Sequence, residues 1–418
     1  MSGTGPPSSP GGDGPAPVPA SRGPFRLAAF VLAVTAFGAG VPTPLYGVYQ
    51  QRFHFDATVL AAIFGSYTVG VLATMLLVAP LSDLIGRKPV LYLGMLLTGL
   101  SGVVFIVAHG VADLALARVV SGLAVGATTS TATAAMAGLE PRRDQHHVAR
   151  VSVAANFGAV GSGVLLCGVL IVYAPWPELV VYLVLIGVSV AGALAVRALP
   201  ETVPSRPSGS RLRSERVRVP ATIRLPFWVA AGSLAACYSI YGFFGALAPT
   251  AIREALSISN RASSAAIVAS LFGLAALVQL GLGQVRDRRA LVAGLPILLA
   301  GLVGLMLSLP LHSVLVLVGA ALTLGVGVGF VYMGSVTLID RVAPTAMRGE
   351  VLSAFFVVGY LALAVPTVGV GLASVQLGFK AAGALFGAAL GLFAAVLFIA
   401  TRATPTPPGG EGRPRGVS

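Results

Sequence analysis

Charge is scarce in this chain of 418 residues, where Lys, Arg, Asp and Glu together make up 10% of the sequence. An ordinary soluble domain is about a quarter charged, so a water-facing surface of normal composition is excluded. Cysteine is nearly absent. Cys167 and Cys237 are the two, both inside apolar stretches where a thiol behaves as a small hydrophobe, so neither a disulfide framework nor a metal cluster is expected. The five histidines are scattered. His146 and His147 adjoin, yet no carboxylate or cysteine surrounds them at ligand spacing, and no metal or cofactor is assigned. A phosphate-cradling P-loop is missing too, so nothing points to an ATPase within the chain. All 14 acidic residues lie in loops, in tails or near the ends of apolar stretches. Membrane proton relays usually use a buried carboxylate or histidine. Coupling to a proton or ion would therefore need an end-of-stretch group such as Asp56, Asp113 or Glu178.

What fills the chain is hydrophobic: 56% of its residues, with a mean hydropathy of +0.90. A membrane-spanning helix needs about 20 mostly apolar residues. Twelve stretches qualify, at 25–49, 57–80, 89–109, 112–138, 149–172, 179–199, 226–250, 263–283, 291–310, 313–337, 351–373 and 381–400. An all-α integral membrane protein with twelve transmembrane helices follows. Its loops divide by charge. The N-tail, even-numbered loops and C-tail hold 22 of the 27 Lys and Arg, while the odd-numbered loops hold Arg52, Arg253, Arg261 and Lys380. Cytoplasmic loops carry the basic excess, so both termini should face the cytoplasm. The net charge of +13 is then a matter of topology and of contacts to anionic headgroups, not of nucleic acid. Residues 1–24 and 401–418 read as disordered tails. The first apolar stretch, without a basic n-region or cleavage site before it, reads as a retained helix. Twenty-five Arg against two Lys, with abundant Ala and Gly, points to a GC-rich bacterial source and a cell-membrane location.

The polar, basic segment 200–225 is the long internal loop, separating bundles of six spans at 25–199 and 226–400. The halves repeat. Gly122 to Gly126 opens a run ending at Glu140-Pro141, and Gly325 to Gly329 opens one ending at Ala343-Pro344. Gly126 to Gly329 and Pro141 to Pro344 share an offset of 203, and Asp83 to Asp287 one of 204. Parallel six-helix halves with a site between them near the midplane describe one class of secondary transporter.

The most specific local pattern is Ala79-Pro80-Leu81-Ser82-Asp83-Leu84-Ile85-Gly86-Arg87-Lys88. It resembles the signature loop of the major facilitator superfamily through Asp83, Gly86, Arg87 and Lys88. Ala79 and Leu84 depart from it, standing where glycine and a basic residue are usual. The second-half copy around Asp287 is shortened. Gly86 supplies the backbone freedom for a tight turn. Asp83 can approach the positive N-terminal end of the eleventh span near Gly349 and Glu350, and Arg87 can pair with Glu140. These contacts would gate the cytoplasmic face.

Arg118 lies within the fourth span. An intramembrane arginine faces the bundle interior or a hydrated cavity by default, and the alternative is snorkelling outward near Asp113. Its context resembles the family's fourth-helix motif, which implies a part in substrate or proton handling. The fifth-span run Asn156-Phe157-Gly158-Ala159-Val160-Gly161-Ser162-Gly163 resembles the glycine-rich motif of family exporters, without its usual Gly-Pro. The resemblance implies a cavity lined mainly by spans one, four, seven and ten. The groups there able to touch a solute are Tyr46, Tyr49, Arg118, Thr128, Thr129, Tyr238, Tyr241, Phe244 and Tyr332.

The resulting expectation is a monomeric secondary transporter moving a small organic molecule by alternating access, with export favoured. An importer of the same fold is the first alternative. A membrane enzyme acting on lipid-linked substrates is the second, and no His/Asp/Glu constellation supports it.

Overall fold

Apolar helices that must satisfy every backbone group internally account for the whole architecture. The computed structural model describes residues 22–77, 85–202, 219–256, 260–281, 288–308, 310–344 and 347–403, and the secondary structure among them is helical. The second to sixth spans are Ala57–Leu77, Arg87–Ile106, Val111–Leu139, Gln145–Tyr173 and Pro177–Ala198. The seventh to tenth are Arg224–Ala246, Arg261–Gly281, Arg288–Ser308 and Val314–Val342.

Three places depart from the simple twelve-rod expectation. The first span runs as Arg22–Gly40, a 3-10 turn at Thr43–Leu45 and a second helix, Tyr46–Phe53. Pro42 and Pro44 lack the N–H that a continuous helix needs, and the break falls on them. The seventh span stops at Ala246 instead of running on to 250, and a separate helix, Ala248–Leu256, follows with Pro249 in its first turn. The last two spans appear as one helical run, Arg348–Ala403, of 56 residues. At about 1.5 Å per residue that is about 84 Å, far more than a hydrocarbon core of about 30 Å. Gly378 breaks it, with φ 79° and ψ 159°. The parts on either side, 348–377 and 379–403, are each of one-crossing length, so twelve segments of crossing length stand among the described residues.

Packing follows the repeat. Within each half the third position packs on the sixth, and the first on the fifth: spans three on six and nine on twelve, one on five and seven on eleven. The same glycine contacts recur. A Cβ at Gly40 would overlap the Val160 carbonyl oxygen, and one at Gly242 would overlap that of Leu363. Gly122 sits equally close against Tyr67 of span two, and Gly325 lies against Leu271 of span eight. Small residues that let backbones touch are the usual means of packing membrane helices. Between the halves, span five packs along span eight and span two along span eleven. Span seven is buried around nearly its whole circumference. Large apolar side chains such as Leu96, Leu194, Leu392 and Ile399 stay exposed, as lipid-facing positions must.

Asp144 caps the fifth span, accepting from the backbone N–H of His146 at 2.9 Å and of His147 at 3.1 Å. Those bonds, His147 first, hold its carboxyl below the usual value. A depressed carboxyl contributes stability that is present above its unfolded value and lost as pH falls through the folded one. Asp144→Ala should therefore speed hydrogen exchange in the first turn of this span at neutral pH by about fivefold, the equivalent of ~1 kcal/mol for an N-cap. Equal exchange rates in the variant would remove the cap's role.

Candidate functional site

Arg118 is the largest of the nearly inaccessible side chains, with 1% of its surface exposed. It does not snorkel. Its guanidinium lies over two rings of the second span, 5.1 Å from the Phe64 centroid and 4.7 Å from that of Tyr67. Nη1 donates to the Ala39 carbonyl of span one at 3.1 Å. The carboxylate of Asp113 is engaged elsewhere, accepting from the His109 N–H. An arginine at mid-helix costs about 2.5–3.5 kcal/mol on insertion scales. A desolvated cation–π contact returns about 2 kcal/mol and a charge-assisted hydrogen bond about 1.5–3 kcal/mol, so these contacts suffice to hold the charge without a counter-ion. Nε is buried with no partner.

Beside Arg118 lies a cavity of about 80 Å³ at the seam between the halves. Its lining draws Ala36, Ala39, Gly40 and Thr43 from span one, and Phe64 and Tyr67 from span two. Arg118 and Val125 come from span four, with Asn156, Phe157, Val160 and Val164 from span five. The second half adds Tyr238, Tyr241 and Gly245 of span seven, Phe272 of span eight, and Tyr360 and Leu363 of span eleven. Aromatic contacts run continuously across the seam. Phe157 lies 4.8 Å from Tyr241, Tyr241 4.9 Å from Phe272, and Tyr238 5.2 Å from Tyr360. The Tyr241 hydroxyl is buried and unpartnered. At about 80 Å³ the space is smaller than the roughly 300 Å³ at the low end of ligand pockets. A solute of ordinary size does not fit the space as it stands.

The structure brings Arg118, Asn156, Tyr238 and Tyr241 together and sends other expected lining residues elsewhere. Phe244 is fully buried against Phe243 and lines a separate small space with Ala248, Leu305 and Leu317. Three-residue steps lose about 60° each on a helix, so six residues turn Phe244 about 120° away from Tyr238. Thr128 faces Gly94 of span three. Thr129 shares the face of Arg118 but stands eleven residues on, about 16 Å along the axis. Tyr49 donates to the Tyr182 hydroxyl at 3.0 Å and stacks near Phe105, inside the first half. Tyr46 is buried with an unpartnered hydroxyl, outside the lining. Tyr332 packs edge-on to Phe157 and flat against Tyr238, behind the cavity wall. The described lining thus includes spans one, four and seven, as expected, adds two, five, eight and eleven, and contains no residue of span ten. With the halves drawn together, the spans that cross the seam close the cavity. Phe64, Tyr67, Phe157, Phe272 and Tyr360 were missed for that reason. No sequence signal separates them from aromatic packing residues.

At the opposite level, Gly86 has φ 94°, a conformation that favours glycine. Arg87 and Lys88 do not engage Glu140. Their backbone N–H groups donate to the Glu201 carboxylate at 3.2 and 3.1 Å. Nη1 of Arg87 donates to the Ala134 carbonyl and to the Thr202 hydroxyl, each at 2.8 Å. Glu140 instead accepts from the Asp144 N–H at 2.8 Å, closing its own turn. In the sequence Glu201 is only a residue of the central loop, because a cap reaching across 113 or 114 residues leaves no local pattern. Asp83 and Asp287 lie outside the described residues. The three carboxylates considered for ion coupling serve local structure at the odd-loop end. Asp56 accepts from the Val59 N–H and Asp113 from that of His109, while Glu178 pairs with Arg52 at 2.8 Å.

That odd-loop end is where the halves are tied. Thr250 donates to Gln50 and Arg261 to Gln51, each at 3.1 Å, and a Cβ at Gly168 would overlap that of Ala265. Among the described residues, the side-chain hydrogen bonds that join one half to the other are at this end.

Among the described residues, twelve helical segments of crossing length in two repeated halves, tied at one end around an aromatic cavity with a buried cation, define a polytopic membrane protein with a cavity at the seam between its halves. A family model described as the Major Facilitator Superfamily matches residues 28–367. The chain belongs to the Major Facilitator Superfamily, a family of transporters. Over 111 residues it is 28% identical to a Schizosaccharomyces pombe protein named as an uncharacterized transporter. That match spans 27% of this chain and 21% of the relative.

Proposed function

We propose that this chain is a secondary active transporter that moves a small organic molecule by alternating access and exports it across the cell membrane. The observation that carries the reading is the cavity at the seam, where Arg118 from one half faces Tyr238 and Tyr241 from the other. A solute there touches both halves, so its binding can bias how they meet. Export draws its support from the resemblance of the fifth-span run Asn156 to Gly163 to the glycine-rich motif of family exporters, and the glycines of this span lie at both the intra-half and the inter-half contact. A Cβ at Gly163 would overlap Phe37, one at Gly161 would stand 3.1 Å from the Cβ of Phe272, and one at Gly168 would overlap Ala265. The same span therefore couples the cavity to the tie at the odd-loop end. Both termini and the loop 200–225 are assigned to the cytoplasm from the loop charges.

A susceptibility and uptake panel in cells with and without the gene tests the activity. Expression should lower the cellular accumulation of at least one small organic compound and raise resistance to it. Raised accumulation of the transported compound would reverse the direction. Topology is tested by single cysteines and an impermeant thiol reagent in intact cells. Position 255 should label and position 208 should not; the opposite pattern would overturn the orientation.

A further inference from the structure

Among the described residues that line it, the cavity carries one full charge, and it is positive. No Asp or Glu is among its lining residues, and Arg118 makes its one hydrogen bond to a backbone carbonyl, leaving Nε buried and unpartnered. A buried group in that state lacks an interaction that a ligand can supply, and the planar guanidinium fork matches a carboxylate. The rest of the wall is rings, aliphatic carbons and a few neutral hydrogen-bonding groups, of which the Tyr241 hydroxyl is also buried without a partner. A second positive site lies on the route. At the tied odd-loop end, a cleft between the halves is lined by Arg253, Arg261 and Ser264, and its described lining also lacks an acid. Ser264 is 2% exposed and its hydroxyl has no partner. Two positions on the path between halves therefore repel cations.

We propose that the transported solute is an amphipathic monoanion, a flat apolar or aromatic body bearing a single carboxylate, held with its carboxylate on Arg118 and its body against Phe157, Tyr238 and Tyr241. This substrate class rests on the transport reading given above, but the site itself does not. One guanidinium balances one negative charge, so a monoanion fits better than a dianion. An organic cation would place a second positive charge beside one that has no counter-ion among the described lining, in a largely apolar space, which is strongly unfavourable. Neutral compounds of the same shape lose the charge-assisted pair and keep the ring contacts.

Binding of radiolabelled benzoate to the purified full-length protein in nanodiscs of neutral lipid tests this, with benzamide and benzylammonium as competitors of matched shape. Benzoate should bind saturably, benzamide at least about tenfold more weakly, and benzylammonium at least about a hundredfold more weakly; tenfold is about 1.4 kcal/mol. Arg118→Gln should weaken benzoate by about tenfold or more and leave benzamide within about twofold. The ranking on the wild-type protein stands independently of how any variant folds. Equal or tighter binding of benzylammonium, no saturable benzoate binding, or an unchanged benzoate affinity in a monodisperse Arg118→Gln protein would each overturn the assignment. Flux of the same three compounds in proteoliposomes separates the two readings. Benzoate-selective binding without flux of any compound keeps the anion site and removes transport, whereas flux favouring benzylammonium keeps transport and removes the anion site.

Discussion

Arg118→Ala should reduce solute flux about a hundredfold at matched expression, a loss of about 2.7 kcal/mol. That is the scale of a single charge-assisted hydrogen bond, about 1.5–3 kcal/mol. The variant loses the cation in the cavity, the bond to Ala39 and the contacts with Phe64 and Tyr67 together. Arg118→Lys separates these contributions. It keeps a charge but loses the planar five-donor fork and the ring-stacking plane, so flux should still fall clearly. Both proteins should remain helical and monodisperse: Arg118→Ala removes an intramembrane charge together with its desolvation cost, and Arg118→Lys keeps one cation of similar length in the same place. Flux near wild type in both variants, with expression matched on the membrane fraction, would leave Arg118 as a packing residue.

Gly168→Val should shift the conformational equilibrium instead of unfolding the protein. Gly168 stands against Ala265 across the seam between spans five and eight. A valine there cannot be accommodated by a flexible neighbour, since the atom it meets is a Cβ on a helix. Overpacking in a close-packed contact costs about 1–3 kcal/mol. Here the cost falls only on the state in which the odd-loop ends meet, because parting of the halves removes the clash. A bias of 2 kcal/mol shifts a two-state ratio about thirtyfold. An impermeant thiol reagent should then label a cysteine at position 164, in the cavity wall, much faster from the odd-loop side than in the Gly168 parent. Gly122→Val makes the contrast. Its Cβ meets the Tyr67 carbonyl within one half, where no transport state relieves it, so that variant should lose yield and thermal stability instead. Unchanged labelling in Gly168→Val would mean that this contact does not gate access.

Much was legible without coordinates. The number of crossings, the two halves and the repeat come from composition and spacing, because a bilayer forces each crossing to be one long apolar helix with its backbone satisfied internally. The offset of 203 between Gly126 and Gly329 marked helices that do repeat their contacts, Gly126 against Thr74 and Gly329 against Val278. The intramembrane position of Arg118 was equally plain, since a charge among apolar residues is costly wherever it points. Its burial and partners were not. Nor could spacing tell which of the aromatics face solute, as Tyr238 and Phe244 show. Helical phase drifts with each three-residue step, and lining depends on where a second helix ends.

Local chemistry determined each element, and the relation between elements determined the site. Hydropathy and loop charge act on one span or one loop at a time, so the sequence by itself settled the class of molecule, the spans and the residues worth watching. The cavity is built from side chains more than 300 residues apart, such as Thr43 and Tyr360. The cap on the third span comes from Glu201, 113 residues beyond Lys88. Only tertiary structure decides such encounters, because they depend on which helix faces meet across the seam, and that is set by the packing of all twelve crossings together.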